Sequence, residues 1–383
     1  MTKNALVEID NYGQSIWMDY LNRIAIASGE LEQMIVNYRL RGITSNPSIF
    51  EQAIVGNQVY DADIEAGIKA GKSVKDIYES LIFEDIRNAC DLLRPIYEES
   101  GGQNGYVSIE VSPHLARDTA GTIEEALQFY HAIARENVMI KIPGTPEGFP
   151  AVERIIGQGI NVNITLLFSV QSYEDAAWAY IRGLEERVAK HQPIDKLASV
   201  ASFFLSRIDS KIDNLIDERL KNIGTEDLSE AARLEQIKGK VAIANAKIAY
   251  QKFKEIISSD CWQALQQKGA NVQRLLWAST STKNPHYSDV MYVEQLIAPN
   301  TVNTMPLATI EACADHCHPV PNQIETNLEE AYHLIESLKD PDLNIDLDHV
   351  MSELLEEGID KFVQPYDSVL ESLEEKVKQL SPV

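Results

Sequence analysis

A lysine stands in the middle of an apolar run, Val138-Met139-Ile140-Lys141-Ile142, closed by Pro143-Gly144. An ammonium flanked by branched aliphatics must either reach water along its stem or give up its proton. A neutral lysine amine attacks carbonyl carbon, and the resulting iminium is an electron sink for breaking a neighbouring carbon–carbon bond. Such chemistry needs carboxylates for its proton transfers. Two lie in comparable runs, Asp19 in SIWMDYL (15–21) and Glu110 in YVSIEVS (106–112). One carboxylate would take the proton of the cleaved hydroxyl. The other would work through a water held by a hydroxyl such as that of Thr165. Burial lowers the pKa of an amine and nearby carboxylates raise it. Either burial dominates, or a carboxylate takes the proton when substrate arrives.

The elements that would position these groups follow from the alternation of short apolar runs with amphipathic stretches. Strands are expected at 15–21, 42–48, 106–112, 138–144, 161–168, 199–207, 274–281 and 301–306. Helical patterns lie between them. Residues 122–136 place Leu127, Tyr130, Ile133 and Ala134 on one face, and residues 169–190 place Ala176, Tyr180, Ile181 and Leu184 on another. Eight such repeats predict a closed (β/α)8 barrel of the TIM type in the α/β class. An open doubly wound sheet would want a Gly-rich phosphate loop after its first strand, and MDYLNRIAIASGE is not one. The whole of 1–383 reads as one barrel domain. A helical insertion at about 210–270 falls between strands 6 and 7, and C-terminal helices at about 322–381 supply the last barrel helix and a tail helix packing on the outside.

Barrel strands buried on both faces normally read as unbroken apolar runs. Here one parity is polar. Ser108, Glu110 and Ser112 oppose Val107, Ile109 and Val111; Asn161, Asn163 and Thr165 oppose Val162, Ile164 and Leu166; Met139 and Lys141 oppose Val138, Ile140 and Ile142. If the aliphatic parity faces the outer helices, the period of two sends the polar parity inward. The interior is then expected to gather Asp19, Asn46, Glu110, Lys141, Asn163, Thr165 and Ser202. Two plainer readings stand beside this one: a half-solvated antiparallel sheet, and a lysine–carboxylate ion pair that merely fills the barrel.

The 383 residues carry a net charge of −24. That acidity disfavours nucleic acid and anionic membrane as partners, and it means that an anionic substrate needs a local cationic pocket. No run approaches the length of a membrane span. The opening MTKNALVEIDNYGQS has no apolar signal-peptide core, and four cysteines make no disulfide framework, so a cytoplasmic location is expected. In CADHCH, the residues Cys313, His316, Cys317 and His318 lack the second ligand pair of a zinc site and read as a helical stretch, with no metal expected.

Four segments in order resemble the transaldolase family: GITSNPSIF (42–50), IKIPGTPEG (140–148), INVNITLLFS (160–169) and ASFFLSRID (201–209). The resemblance runs from Asp19 to the C-terminal helices. It implies a cofactor-free transferase of the non-oxidative pentose phosphate pathway. Such an enzyme moves a dihydroxyacetone unit from sedoheptulose 7-phosphate or fructose 6-phosphate to erythrose 4-phosphate or glyceraldehyde 3-phosphate. By the same resemblance Lys141 forms the Schiff base and Asp19 is the acid/base for carbon–carbon cleavage. Glu110 and Thr165 hold and activate the water of carbinolamine dehydration. Asn46 and Asn163 bind hydroxyls of the three-carbon unit, with Thr44 and Ser202 beside them. Phe204 lines the pocket and Arg207 binds the phosphate. The seventh strand departs from the pattern: WASTSTKNP supplies the expected serine, Ser279, but its cation is Lys283, a few residues late. Two other functions remain open here: an aldolase that releases free dihydroxyacetone, and a non-catalytic interaction protein docking through its acidic helices. The chain is expected to act as a monomer or homodimer on sugar phosphates.

Overall fold

A computed structural model describes residues 4–221 and 228–380. Its eight strands are β1 (Gln14–Asp19), β2 (Gly42–Thr44), β3 (Tyr106–Glu110), β4 (Val138–Pro143), β5 (Val162–Leu167), β6 (Ser199–Phe204), β7 (Arg274–Ala278) and β8 (Thr301–Met305). They close into a barrel in chain order, each parallel to its neighbours. Parallel pairing requires a crossover between consecutive strands, and helices supply it. The fold is a (β/α)8 barrel.

The strands end earlier than their apolar runs suggest, and after β2 a polar cap turns the chain into the next helix. β2 has three residues; the Asn46 side chain then accepts from the Ile49 amide at 3.1 Å, and Pro47 opens the helix Pro47–Ile54. β6 gives way to the helix Ser206–Leu220. In the helix Thr119–Ile133 the buried face is Ala126, Phe129 and Ile133, while Leu127 and Tyr130 are only half-buried. Ala134 is an exposed left-handed cap, φ 52°. The buried face is rotated from the expected one, with Ile133 common to both. The face predicted for Val170–Ala189 is the one that the structure buries.

The aliphatic parity of β3, β4 and β5 is fully buried, and the opposite parity fills the barrel. Trp17 lies 6.4 Å from Tyr106, ring centre to ring centre. Gly42 makes room for its indole, since a Cβ at Gly42 would stand 2.5 Å from the ring. At the N-terminal end the buried Arg274 closes the barrel, donating to Ser15 Oγ at 2.9 Å and to the Gln103 carbonyl at 2.7 Å.

The β6–β7 connection carries four described helices, Ser206–Leu220, Leu228–Ile237, Val241–Ile257 and Asp260–Gln266. Val241–Ile257 is no appendage: it packs on Val170–Ala189 and on Leu328–Ser337. Residues 222–227 of the expected insertion, and residue 381 of the expected tail, lie outside the described residues. The tail corrects the expectation of an outer helix. Leu347–Leu380 packs on β5 and on the helices Pro47–Ile54, Val74–Glu99 and Ser206–Leu220, which places it across the C-terminal mouth of the barrel. The cause is a buried stripe of Val350, Leu354, Gly358, Phe362, Tyr366, Val369 and Leu373 at helical spacing. Among the described residues no helix is long and apolar enough to cross a membrane. The CADHCH segment turns Cys313 and Cys317 inward and leaves His316 and His318 exposed, with His316 paired to Asp289 at 2.8 Å.

The Trp17–Gly42 contact is a sensitive test of interior packing. Gly42→Ala is expected to destabilise the barrel by about 1–3 kcal/mol. Urea unfolding should show a lower midpoint with an unchanged slope.

Candidate active site

Parallel strands put all their C-terminal ends on one side, and the register then sets which side chains meet. Glu110 of β3 lies beside Lys141 of β4, which lies beside Asn163 of β5; Asp19 of β1 lies beside Thr44 of β2. The Lys141 amine sits 3.1 Å from Glu110 Oε2, and both side chains are almost wholly buried. It also donates to the Ser45 carbonyl at 3.3 Å. The approach to Glu110 is an ion pair out of line for a hydrogen bond. Neither Glu110 oxygen, nor the buried Thr165 hydroxyl, has a hydrogen-bond partner in the chain. Asn163 is held on both sides, donating to Ser108 Oγ at 3.1 Å and accepting from Ser202 at 2.7 Å.

Asp19 is only half-buried, at the rim. Its Oδ1 accepts from Thr44 at 2.7 Å, and Asn46 approaches both oxygens at 3.4–3.5 Å. Thr44 in turn shares a 2.7 Å contact with Thr304 of β8. Desolvation by the surrounding protein raises the pKa of Asp19, against the opposing charges of Lys141 and Arg207 and the hydrogen bonds of Thr44 and Asn46. Desolvation likewise raises that of Glu110, against the pull of Lys141. Two carboxyls held above their ordinary range can exchange protons with a substrate nearer neutral pH.

The cationic side of the mouth begins with Arg207. Its guanidinium stacks 5.1 Å from the Phe204 ring and 5.8 Å from that of Phe362, and its buried Nη1 has no hydrogen-bond partner. Burial pushes its pKa down, while Glu110, Glu357 and Asp19 pull it up. Ser279 takes a left-handed backbone, φ 56°, and shares a 2.8 Å contact with Ser206 beside Arg207. Lys283 is exposed at the rim and donates to Ser281 at 2.8 Å. Partial desolvation by the surrounding protein, and then the nearby Arg207 charge, lower its pKa. A planar guanidinium, an ammonium and a hydroxyl suit an anionic group with several oxygens.

A hydrogen-bond network ties the two segments carrying these cations. Asp209 accepts from the Ala242 amide and from Tyr292, both at 2.8 Å. Asp213 accepts from Tyr287 at 2.6 Å and from the Gly239 amide at 3.0 Å. The helix Ser206–Leu220, which carries Arg207 in its first turn, is thereby fastened to the segment following Lys283.

A small cavity of about 10 Å³ lies among Asn46, Glu110, Ser112 and Tyr366. A roomier cavity of about 870 Å³ opens outside the barrel, beside Lys240, Lys247 and Leu334, and no candidate residue lines it. Among the described residues no cluster of three or more His, Cys, Asp or Glu side chains is placed to hold a metal ion.

Known proteins bear on this arrangement directly. The model of the Transaldolase/Fructose-6-phosphate aldolase family matches residues 16–373. A protein named transaldolase from Trichodesmium erythraeum is 66% identical over the full length of both chains. One named transaldolase 2 from a Nostoc species is 65% identical over the same span, and a transaldolase from Saccharopolyspora erythraea is 43% identical over 380 residues. The chain belongs to the transaldolase family.

Within that family framework, the structure gathers all twelve residues singled out from the sequence around one mouth, Lys283 at its outer edge. It also adds residues that motif reasoning missed. Ser45 and Thr304 touch Lys141 and Thr44. Phe362 lies 5.3 Å from the Lys141 amine. Ser45 lies inside the GITSNPSIF segment and carried a signal. Phe362 was detectable only as one member of the apolar stripe in a helix expected elsewhere.

Asp209 gives the network a pH signature. Burial raises its pKa from 3.8 to about 7, and the hydrogen bonds of Ala242 and Tyr292 only partly oppose this. A carboxyl whose pKa rises on folding binds its proton more tightly in the native chain. Its contribution to stability is therefore fully present below 3.8 and is lost as pH climbs to about 7. Asp209→Asn should remove up to about 1.4 kcal/mol per pH unit of that decline. Urea titrations across the window would read the difference in slope.

Proposed function

We infer that this chain is a transaldolase acting on sugar phosphates in the cytoplasm, in the non-oxidative pentose phosphate pathway. The observation that carries the reading is the Lys141 amine, buried in the barrel and 3.1 Å from Glu110. In this mechanism the neutral amine adds to the C2 carbonyl of sedoheptulose 7-phosphate or fructose 6-phosphate. Glu110, with the Thr165 hydroxyl, shuttles protons to the departing water as the carbinolamine becomes an iminium. Asp19 takes the proton of the C4 hydroxyl. The C3–C4 bond breaks, its electrons pass into the iminium, and an enamine of the three-carbon unit remains on Lys141. The aldose phosphate leaves, and erythrose 4-phosphate or glyceraldehyde 3-phosphate enters as acceptor. The steps then run in reverse, and hydrolysis frees the amine.

Asn46, Asn163, Thr44 and Ser202 face the space beside Lys141 and suit the hydroxyls of the three-carbon unit. Arg207, Ser279 and Lys283 suit the phosphate, against the −24 charge of the whole chain. Phe204 carries the guanidinium on its ring. The family description also covers fructose-6-phosphate aldolase, which shares the lysine chemistry. The names of the relatives at 65–66% identity favour transfer. The intact Lys141–Glu110–Asp19 set speaks against a purely docking role.

Borohydride with fructose 6-phosphate should trap a covalent adduct on the peptide containing Lys141, and an unmodified Lys141 would refute the mechanism. Lys141→Ala should lower transfer by roughly a thousandfold or more while the chain stays folded. Lys283→Ala should raise KM for the donor about three- to tenfold with kcat little changed, and the effect should shrink as salt rises. An unchanged KM would remove Lys283 from the phosphate site.

A further inference from the structure

The two sides of the barrel mouth differ in their access to water. Asp19, Asn46, Arg207 and Ser279 are half-buried and Lys283 is exposed, whereas Glu110, Lys141 and Thr165 are buried. Leu347–Leu380 makes the difference. Its Phe362, 5% exposed, presents a ring 5.3 Å from the Lys141 amine and 5.8 Å from the Arg207 guanidinium. A substrate bound covalently at the one and ionically at the other must run along that ring.

The helix is held there on both sides of Phe362. One turn earlier, Gly358 allows close approach: a Cβ there would lie 2.9 Å from Leu166 Cδ2 and 3.5 Å from Arg207 Nη1. One turn later, Tyr366 meets Tyr78 edge-on at 5.7 Å. Ion pairs of Glu356 with Arg117, and of Glu353 and Glu357 with Lys211, fasten the exposed face.

We propose that Phe362 is a specificity-determining residue that screens the enamine on Lys141 from water, so that the three-carbon unit waits for an aldehyde acceptor instead of being released. The inference rests on Lys141 as the Schiff-base lysine. The competing route is balanced without any further reagent. The enamine takes a proton at the carbon freed by cleavage and becomes an iminium. Water adds to that iminium and the carbon–nitrogen bond breaks. Free dihydroxyacetone, which keeps that proton as a C–H bond, and the neutral amine result, and the added water gives up a proton in its place. Glu110 and Thr165, which assist iminium hydrolysis, already stand beside the amine. The groups for release are therefore present, and restraint falls to the exclusion of water, which an apolar ring over the amine provides.

The test compares dihydroxyacetone released from fructose 6-phosphate without acceptor against transfer to erythrose 4-phosphate. In Phe362→Ala the released share should rise roughly tenfold, and Phe362→Leu, which keeps an apolar wall, should return it to within about threefold of the parent. A share that stays constant while both rates fall together would reduce Phe362 to packing and overturn the proposal. If Phe362→Ala does not fold, Gly358→Ala carries the test. It lifts the helix from Leu166 and should raise the share, and an unchanged share there overturns the proposal equally. Borohydride trapping in the same samples separates the two levels of failure. No adduct on Lys141 in the parent defeats the mechanism itself, whereas an adduct with an unchanged share defeats only the role of Phe362.

Discussion

Placing an ammonium and a carboxylate together in a water-poor barrel constrains everything around them. Taking an ion out of water costs several kcal/mol even after relaxation, and a close opposite charge recovers only part of it. Lys141 and Glu110 meet at 3.1 Å, yet both Glu110 oxygens and the Thr165 hydroxyl are left without hydrogen-bond partners in the chain. Each unpaired buried group costs about 1–3 kcal/mol. Such a cluster persists only inside a frame stable enough to carry it. The closed barrel supplies that frame, with its outward aliphatic parity fully buried and its lower interior filled by Trp17 and Tyr106. The unpartnered Glu110 oxygens can accept from substrate hydroxyls or from water.

The same reasoning separates the two cationic regions. Lys141 is neutralised locally by Glu110. Arg207 is not: among the described residues no carboxylate lies within ion-pair distance, and its faces rest on Phe204 and Phe362. An aromatic cradle holds a guanidinium without consuming its hydrogen-bond donors. In a chain so acidic, an uncommitted cation at the rim is the feature that lets an anion approach. The connection between β6 and β7 serves this end, since Asp209 and Asp213 fasten the helix behind Arg207 to the segment behind Lys283.

Much of the site was legible because strand geometry is periodic. In a barrel the period of two leaves one parity facing in, so Glu110, Lys141, Asn163, Thr165 and Ser202 could be assigned together from polarity alone. The motifs then attached roles to Asp19, Asn46 and Arg207. Helix faces were less legible. Thr119–Ile133 buries Ala126 and Phe129 while Leu127 is only half-buried, and hydrophobicity alone does not separate these positions. The destination of Leu347–Leu380 was not legible at all. Its apolar stripe announces a buried face, but nothing in an amphipathic helix says which surface of the barrel will receive it. Phe362 was therefore missed, as was Arg274, whose partners Ser15, Gln103 and Asn104 come from distant parts of the chain.

That helix also answers a local problem in β5. The strand pairs regularly with β6 as far as Ile164, then slips, and Leu166 is forced to φ 60°. A left-handed leucine costs about 1–3 kcal/mol and survives only where its surroundings over-determine it. Gly358 comes close enough to Leu166 that even a methyl group would not fit between them. The tail helix thus clamps the irregular end of the strand that presents Thr165, and in the same span it sets Phe362 over Lys141. The register shifts between Ile164 and Leu167, and Ser169 then caps the next helix. The strained strand end and the covering helix meet at Leu166 and Gly358.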